Sequence, residues 1–329
     1  MGYVRLKDIA EKAGVSINTV SRSLKDKPDI GMETRNRVKE IAAAMGYIPH
    51  ASASSLRSNQ NKTIGVVVTH LANTFFSHIL QGINDALSRS DYTILALGSN
   101  EDLAKEEKII KTLYANRVAG LIIVPSRDLV STFDYDSLKV PHINIVRKGS
   151  QNSQNYFISD SRMSGRLAAE KILGEGKEYP WYLGYSYPVS CNQQRLQGYR
   201  EGLEEGGLSL PEERVVLSDS TAAAAYEAVR NLLQRRVKMD SLFIYNDHMA
   251  FGVIRALHEA GVKIPDDVSL VGHDDIAETP YVVPSLSSIR VPKYELGYES
   301  ASCLLDVLEG RQGGLRRVVY HPELIKRET

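Results

Sequence analysis

From Thr63 to Gly272 short apolar runs alternate with longer amphipathic stretches, and the alternation is played through twice. The first round is Thr63-Ile64-Gly65-Val66-Val67-Val68, a helical stretch from about 76 to 90, Tyr92-Thr93-Ile94-Leu95-Ala96-Leu97, a helical stretch near 102–116, Gly120-Leu121-Ile122-Ile123-Val124 and Pro141-His142-Ile143-Asn144-Ile145. Runs this continuously apolar suit strands buried on both faces, and strands separated by helices pair in parallel because each crossover lays a helix on the sheet. The second round follows Asp160, with helices near 161–174, 192–205, 221–235 and 247–260. Its strands are Trp181-Tyr182-Leu183-Gly184, residues 214–217, Ser241-Leu242-Phe243-Ile244-Tyr245 and Val268-Ser269-Leu270-Val271-Gly272. Two similar halves predict two α/β lobes with a cleft between them. Ligands of such sheets bind beyond the carboxyl ends of the strands.

The 329 residues leave roughly sixty ahead of these lobes, and that segment has a different character. Leu6 to Arg22 reads as helix, tight turn and second helix. Ile9, Ala10, Ala13, Val15, Val20 and Leu24 supply inward stripes. Small Ala10 and Ala13 let two helices cross closely, Gly14 makes the turn, and Ser16 is placed to cap the second helix. A third amphipathic helix is predicted from about Met32 to Met45, with Val38, Ile41, Ala42 and Met45 on one face, Gly46 at its end and Tyr47 and Ile48 as a lid. A helix-turn-helix sets its second helix in the DNA major groove. Ile17, Asn18 and Arg22 then face outward, Asn to pair with adenine and Arg with guanine, while Ser16, Thr19 and Ser21 reach phosphate. The competing reading is a helical hairpin used only for packing.

Charge agrees with contact to phosphate. Residues 1–62 hold 11 Lys and Arg against 6 Asp and Glu, in a chain whose total formal charge is zero. A neutral whole therefore hides a basic head. The segment Pro49 to Lys62 is Ser-rich and polar, marginal as a free helix, with Leu56 its one large apolar residue. Leu56 is either a core anchor or a wedge for a minor-groove base step, with Arg57 beside it on phosphate.

Residues 4–62 resemble the DNA-binding head and hinge of the LacI/GalR family of bacterial transcription regulators. The matching pieces are Asp8-Ile9-Ala10, Ala13-Gly14-Val15-Ser16, Thr19-Val20-Ser21-Arg22, Thr34-Arg35, Gly46-Tyr47-Ile48-Pro49 and Ser55-Leu56-Arg57. The resemblance implies a hinge that folds as a helix on the operator, with Leu56 wedging the centre of a palindromic site. Arg5 stands where the family usually has a Thr or Ser cap, Gly31 where it has a Ser cap, and His50 where Asn is common. The likeness continues through Asn73-Thr74-Phe75-Phe76, Ser159-Asp160-Ser161, Arg195-Leu196-Gln197-Gly198-Tyr199, Asn246 to Gly252, Val271 to Asp275 and His321-Pro322-Glu323-Leu324.

It implies a small all-α helix-turn-helix head with a hinge helix, and an α/β two-lobed sensor with parallel sheets, similar to the periplasmic binding proteins. The expected boundaries are 1–48 for the head, 49–61 for the hinge and 62–329 for the effector-binding and dimerisation domain. Lobe one takes about 62–160 and 292–319, and lobe two about 161–291 and 320–329.

The same resemblance places the effector pocket on Phe75, Phe76, Arg147, Arg195, Asn246, Asp247 and Asp274. Asn246, Asp247 and Asp274 follow strands, an amide and carboxylates suited to a polyhydroxylated ligand. Arg195 forks onto a hydroxyl pair or a carboxylate. Phe75 and Phe76 offer a sugar ring or a base an apolar face. Asp247 serves equally well as a helix cap, Asp275 as a structural acceptor, and either Phe as core. Val146 stands where many sugar-responsive members carry Asp, and Ser220 where some carry an aromatic, so stacking falls to Phe76, Tyr185 or Tyr187. Arg147 and Arg195, with His70 nearby, point to a sugar-like effector of some anionic character.

Several chemistries lack their signatures. There is no GxxxxGK followed by Ser or Thr, no HExxH and no GxSxG. Cys191 and Cys303 lie far apart and are expected to be free. No enzyme activity, cofactor or metal is expected, and no signal peptide or membrane span is seen, so the expected location is the cytoplasm. No Leu heptad trails Lys326-Arg327, which predicts homodimers rather than coiled-coil tetramers. The reading is a dimeric repressor of double-stranded palindromic operator DNA, controlled by a small carbohydrate-like molecule. A regulator activated by a co-repressor or partner protein, and a binding protein or enzyme on the same lobes, remain open alternatives.

Overall fold

The computed structural model describes residues 4–47, 61–130, 133–149, 155–311 and 316–329. The chain divides into two units, Met1–Asn61 and Lys62–Thr329, each with its own core.

Among the described residues the first unit forms three helices, α1 (Leu6–Ala13), α2 (Ile17–Ser23) and α3 (Met32–Ala44). Ile9, Ala10 and Ala13 of α1 meet Val20, Val38 and Ala42 in its core, with Val15, Leu24, Ile41, Met45 and Tyr47 packed around them. Gly14 ends α1 at φ 65°, the left-handed conformation that glycine adopts without a Cβ clash. Arg37 Nη2 donates to the last α1 carbonyl, Ala13 O, at 3.1 Å. Where Arg5 replaces an oxygen cap, its backbone N–H donates to Asp8 Oδ2 at 2.7 Å, which is one half of a capping box. Gly31 leads into α3 with no side-chain cap. Ile48, His50, Leu56 and Arg57 lie outside the described residues, and with them all of the expected hinge but Asn61.

The second unit holds two six-stranded sheets. Its elements in chain order begin β1 (Thr63–Val68), α4 (Thr74–Leu87), β2 (Thr93–Gly98), α5 (Leu103–Ala115), β3 (Gly120–Ile123), β4 (His142–Ile145) and β5 (Tyr156–Ser159). Next come α6 (Ser161–Gly174), β6 (Pro180–Tyr185), α7 (Ser190–Glu205), β7 (Val215–Ser218), α8 (Ala222–Gln234), β8 (Ser241–Ile244) and α9 (Asp247–Glu259). The remainder is β9 (Ser269–Asp274), β10 (Ser288–Arg290), α10 (Lys293–Leu308), β11 (Arg317–Tyr320) and β12 (Glu323–Ile325). The first sheet runs β11-β5-β4-β3-β1-β2 and is parallel throughout, with Val66 level with Ala96 on one side and Ile122 on the other. The second runs β12-β10-β9-β8-β6-β7, parallel except where β12 returns against β10.

The chain passes between the sheets three times: after β5 at Asp160, after β10 at Val291–Pro292, and between β11 and β12 at His321–Pro322. The strand at 156–159 and the elements after Asp274 stand outside the apolar alternation read from the sequence, β10 and β12 being only three residues long.

Glycines seam the helix pairs. A Cβ on Gly165 of α6 would lie 2.1 Å from Arg195 O of α7, and one on Gly198 of α7 would lie 1.9 Å from Arg162 O of α6. In the other lobe a Cβ on Gly82 of α4 would lie 2.2 Å from Tyr294 O, and one on Gly297 of α10 would lie 2.1 Å from Ile79 O. No side chain larger than hydrogen fits at these four positions, so the backbones touch.

Candidate functional site

In each sheet the second strand sits outside the first and the third on its other side, so strand order reverses between β1 and β3 and between β6 and β8. Crevices open at such reversals, at the carboxyl ends of the strands. Both reversals face one cavity between the lobes. Thr69 and His70 enter it from the end of β1, Tyr185 from β6, Tyr245 and Asn246 from β8, and Asp274 from β9. Phe75 and Phe76 come from the first turn of α4, which Asn73 caps, and their rings meet edge to face at 5.1 Å. Cys191 and Arg195 come from α7, and Glu101, Val146, Arg147 and Ser220 complete the wall.

Six of the seven effector residues named from the resemblance thus come together. Asp247 does not. Its side chain is fully buried, accepting from Ser288 Oγ at 2.7 Å and from the Ile276 N–H at 3.0 Å, and burial, with the nearby Asp274 charge, pushes its carboxyl well above the usual range. The α9 cap is Asn246, whose Oδ1 accepts from Met249 N–H at 2.8 Å. Asp247 therefore ties α9 to the β9–β10 region rather than facing a ligand.

Arg147 lines the wall with its charge already engaged. Its Nη1 and Nη2 fork onto Glu101 Oε2 and Oε1 at 3.0 and 2.7 Å, and Nη1 also donates to Pro125 O at 2.9 Å. Both partners are buried, Glu101 to 1 % exposure and Arg147 to 5 %. Burial opposes the guanidinium charge, but Glu101 outweighs it and holds Arg147 well above its ordinary value. An anionic effector expected at Arg147 would have to displace this carboxylate. Backbone strain delivers the pair. Val146 has φ 67°, an unusual conformation for a β-branched residue, and the Arg147 N–H donates to Ile145 O at 2.7 Å across it, a γ-turn of the rare positive-φ kind. Asn100 and Glu101 are also left-handed, at φ 58° and 57°. Nothing in the periodicity of the sequence marks Glu101, since its partner lies 46 residues away.

Arg195 is the cation left for a ligand. Nη1 donates to Tyr245 O at 2.6 Å, the guanidinium carbon lies 4.7 Å from the centre of the Tyr245 ring, and Nε has no partner among the described residues. Tyr245 stacks in turn on Tyr185 at 5.2 Å and meets Cys191 Sγ at 3.4 Å through its hydroxyl. His70 is half-buried, and burial lowers its pKa, so a neutral imidazole faces the cavity.

The cavity is narrow, with a free volume of about 50 Å³, room for a few water molecules. Direct bonds join the lobes around it. Asp128 accepts from Ser190 N–H at 2.8 Å and from the Ser190 hydroxyl, the Leu129 N–H donates to Pro188 O at 3.4 Å, and Arg127 lies 4.1 Å over the Tyr187 ring. Thr74 Oγ1 donates to Glu278 Oε2 at 3.3 Å.

In the first unit Ser16 Oγ caps α2, accepting from Thr19 N–H at 3.1 Å and meeting Thr19 Oγ1 at 2.9 Å. Ile17 is 47 % exposed and Asn18 is exposed, while Thr19 and Ser21 are half-buried. Arg22 is paired with Asp29, Nε to Oδ2 at 2.7 Å and Nη2 to Oδ1 at 2.6 Å.

Residues 5–50 match the model of the bacterial regulatory proteins of the lacI family, and residues 170–329 match that of the periplasmic binding protein-like domain. The HTH-type transcriptional repressor PurR of Vibrio campbellii is 29 % identical over 98 % of both chains, and the HTH-type transcriptional regulator MalR of Clostridium butyricum is 28 % identical over 99 % of both. The chain belongs to the LacI family. A lac repressor dimer bound to operator and the anti-inducer ONPF superposes with a TM-score of 0.83, at 26 % identity, covering 100 % of this chain and 99 % of that one. The regulator CelR in complex with cellobiose gives 0.73 at 26 % identity, over 99 % of each chain. As a LacI-family member the chain is a transcriptional repressor, a helical DNA-binding head joined to a two-lobed effector-binding domain. Among the described residues no helix is long and apolar enough to cross a membrane.

Proposed function

We propose that this repressor answers to a small, uncharged, polyhydroxylated effector that binds between Arg195, Asn246 and Asp274 and packs on Phe75 and Phe76. The observation that carries the reading is the balance of charge in the cavity wall. Arg147 is neutralised by Glu101, and Arg195 stands with Asp274, so donors and acceptors converge without a net charge. Such a wall recognises hydroxyls and offers little to an anion. The cellobiose complex of CelR supports a carbohydrate. The tyrosines 185 and 245 and the relatives named PurR support a second reading, a flat nucleobase-like ligand.

The narrow cavity and the bonds that bridge the lobes beside it support entry by parting of the lobes. The effector acts only if it prefers one arrangement of the lobes over the other. Exposed Leu95 on the edge strand β2, with Tyr281 and Val283 at 84 % and 88 % exposure, supports pairing with a second copy and hence reading of a palindromic operator from the cytoplasm. Ser16, Ile17, Asn18, Thr19, Ser21 and Arg22 are the proposed major-groove set.

A thermal-shift screen against sugars, sugar acids, polyols, sugar phosphates and purines tests the reading, since a ligand of the native state raises the melting temperature by mass action. A neutral sugar or polyol that stabilises the wild type but not Arg195→Ala is the expected result. A response to sugar acids or phosphates alone overturns the uncharged effector, and a response to purines alone selects the second reading.

A further inference from the structure

The end of strand β9 carries a buried imidazole, in the strand itself, that the ligand reading does not use. His273 is 1 % exposed. Its Nδ1 lies 2.8 Å from Asp274 Oδ1, and its Nε2 lies 3.2 Å from Ser164 Oγ. Ser164 sits fully buried in the first turn of α6, with its Oγ 3.1 Å from the Asp160 carbonyl. Asp160 is where the chain first passes between the sheets, and its N–H donates to Tyr320 O, beside the third passage, at 2.9 Å. Lys293 reaches the same strand end from the second passage. Its Nζ donates to Asp274 O, to Asp275 O at 2.9 Å and to Val291 O at 3.4 Å. Asp274 and Asp275 are held at φ 106° and 48°, outside the region that side-chain-bearing residues prefer.

We propose that His273 is a positioning residue for the Asp274 carboxylate and ties it, through Ser164, to the first inter-lobe passage at Asp160. The inference rests on the reading of Asp274 as an effector acceptor. Among the described residues His273 is the one side chain that donates to this carboxylate, and it holds Oδ1 from behind. Any ligand that draws Asp274 toward the cavity must therefore move the imidazole and the α6 turn behind it.

Proton counting fixes the tautomer. A carboxylate has no proton to give, so Nδ1 carries the proton and donates to Asp274, leaving a lone pair on Nε2. Ser164 has one hydroxyl proton and donates it in a hydrogen bond to Nε2, so its tie to Asp160 runs through its backbone N–H rather than its hydroxyl. The Asp160 carbonyl keeps its helical donor, the Ser164 N–H, at 3.0 Å. A second proton on His273 would reverse the chain: Nε2–H would donate to Ser164 Oγ, and the hydroxyl would turn to Asp160 O. The charged groups around the ring are Arg195 on α7, Lys293 on α10 and Asp274 itself. Burial, then Arg195, hold the imidazole pKa at about 4 against the pull of Asp274, so the singly protonated form stands at neutral pH.

The experiment is a long-range proton–nitrogen correlation spectrum of the full-length protein labelled with 15N-histidine, at neutral pH and without ligand. The expected result is a neutral His273 protonated on Nδ1, with the proton passing to Nε2 in Asp274→Ala, where Ser164 becomes the acceptor. An Nε2–H tautomer or a charged ring in the wild type overturns the proposal, as does an Asp274→Ala spectrum without change. Amide exchange gives a second readout. Loss of about one hydrogen bond in His273→Phe should speed exchange across residues 160–164 on the order of tenfold, and His273→Gln, whose amide oxygen can take the place of Nε2 as acceptor from Ser164, should restore protection. Equal exchange in the two variants overturns the link to Asp160. Should His273→Phe not fold, the wild-type tautomer still decides. Neither readout uses an effector. A chain that passes both yet answers to no compound in the thermal screen loses the effector reading and keeps this one.

Discussion

Asp128, on one lobe, caps a helix of the other: its carboxylate accepts from both the backbone N–H and the hydroxyl of Ser190, the first residue of α7. The position before it, Val189, has no oxygen to offer, so α7 takes its side-chain cap from across the cleft. Replacing Asp128 with Ala should cost about 1–2 kcal/mol of stability in urea unfolding, the usual value of a lost cap. It should also enlarge the radius of gyration in X-ray scattering as the lobes part. An unchanged scattering profile would show that the other inter-lobe bonds suffice.

The buried pair of Glu101 and Arg147 predicts unequal effects of single and double substitution. Glu101→Gln or Arg147→Met alone leaves a charge in the interior without its partner, at a cost of about 3–5 kcal/mol. The double variant removes both charges and should be more stable than either single one. A double-mutant cycle by denaturant melting checks this, and strictly additive losses would mean that the two side chains do not act as a pair.

Stability should fall with acid in a defined window. The folded-state pKa of His273 is depressed from 6.5 to about 4. Between those values the unfolded chain binds a proton that the folded chain refuses, so stability is fully present above pH ~6.5 and drains away as pH falls toward ~4. The shift corresponds to a loss on the order of 3 kcal/mol. Half-buried His70, also depressed chiefly by burial, adds in the same direction. Melting temperatures measured across this range should slope less in His273→Asn than in the wild type, and parallel curves would remove His273 as the cause.

Leu56→Ala, in the expected hinge segment outside the described residues, should weaken operator binding while leaving the melting temperature of the lobes unchanged. Fluorescence anisotropy with labelled operator reads the first and calorimetry the second. Equal operator affinity would argue against a minor-groove wedge.

Much of this was legible before any coordinates. The uninterrupted apolar runs at 63–68, 120–124 and 241–245 could only be strands covered on both sides, and their spacing by helical stretches made the sheets parallel. Cavity residues that sit at strand ends, such as Asn246 and Asp274, followed from the same pattern with the family resemblance beside it. The features that stayed hidden are those fixed by distant partners. Glu101 looks like any solvated acid after a strand until the strained turn at Val146 delivers Arg147 to it. Asp247 and Asp274 both follow strand ends, and only packing shows that the first is sealed behind Ser288 and the second opens on the cavity. Asp128 carries no sign of its role in the sequence because the helix it caps belongs to the other half of the chain.

The glycine seams have a mechanical consequence. With backbone against backbone at Gly165 and Gly198, and again at Gly82 and Gly297, the paired helices have no side-chain layer over which to slide. Each lobe is therefore a stiff jaw, and compliance is concentrated in the three connecting segments, which act together as a flexure. A single methyl group added at Gly198 would be felt at that flexure and not merely where it was placed.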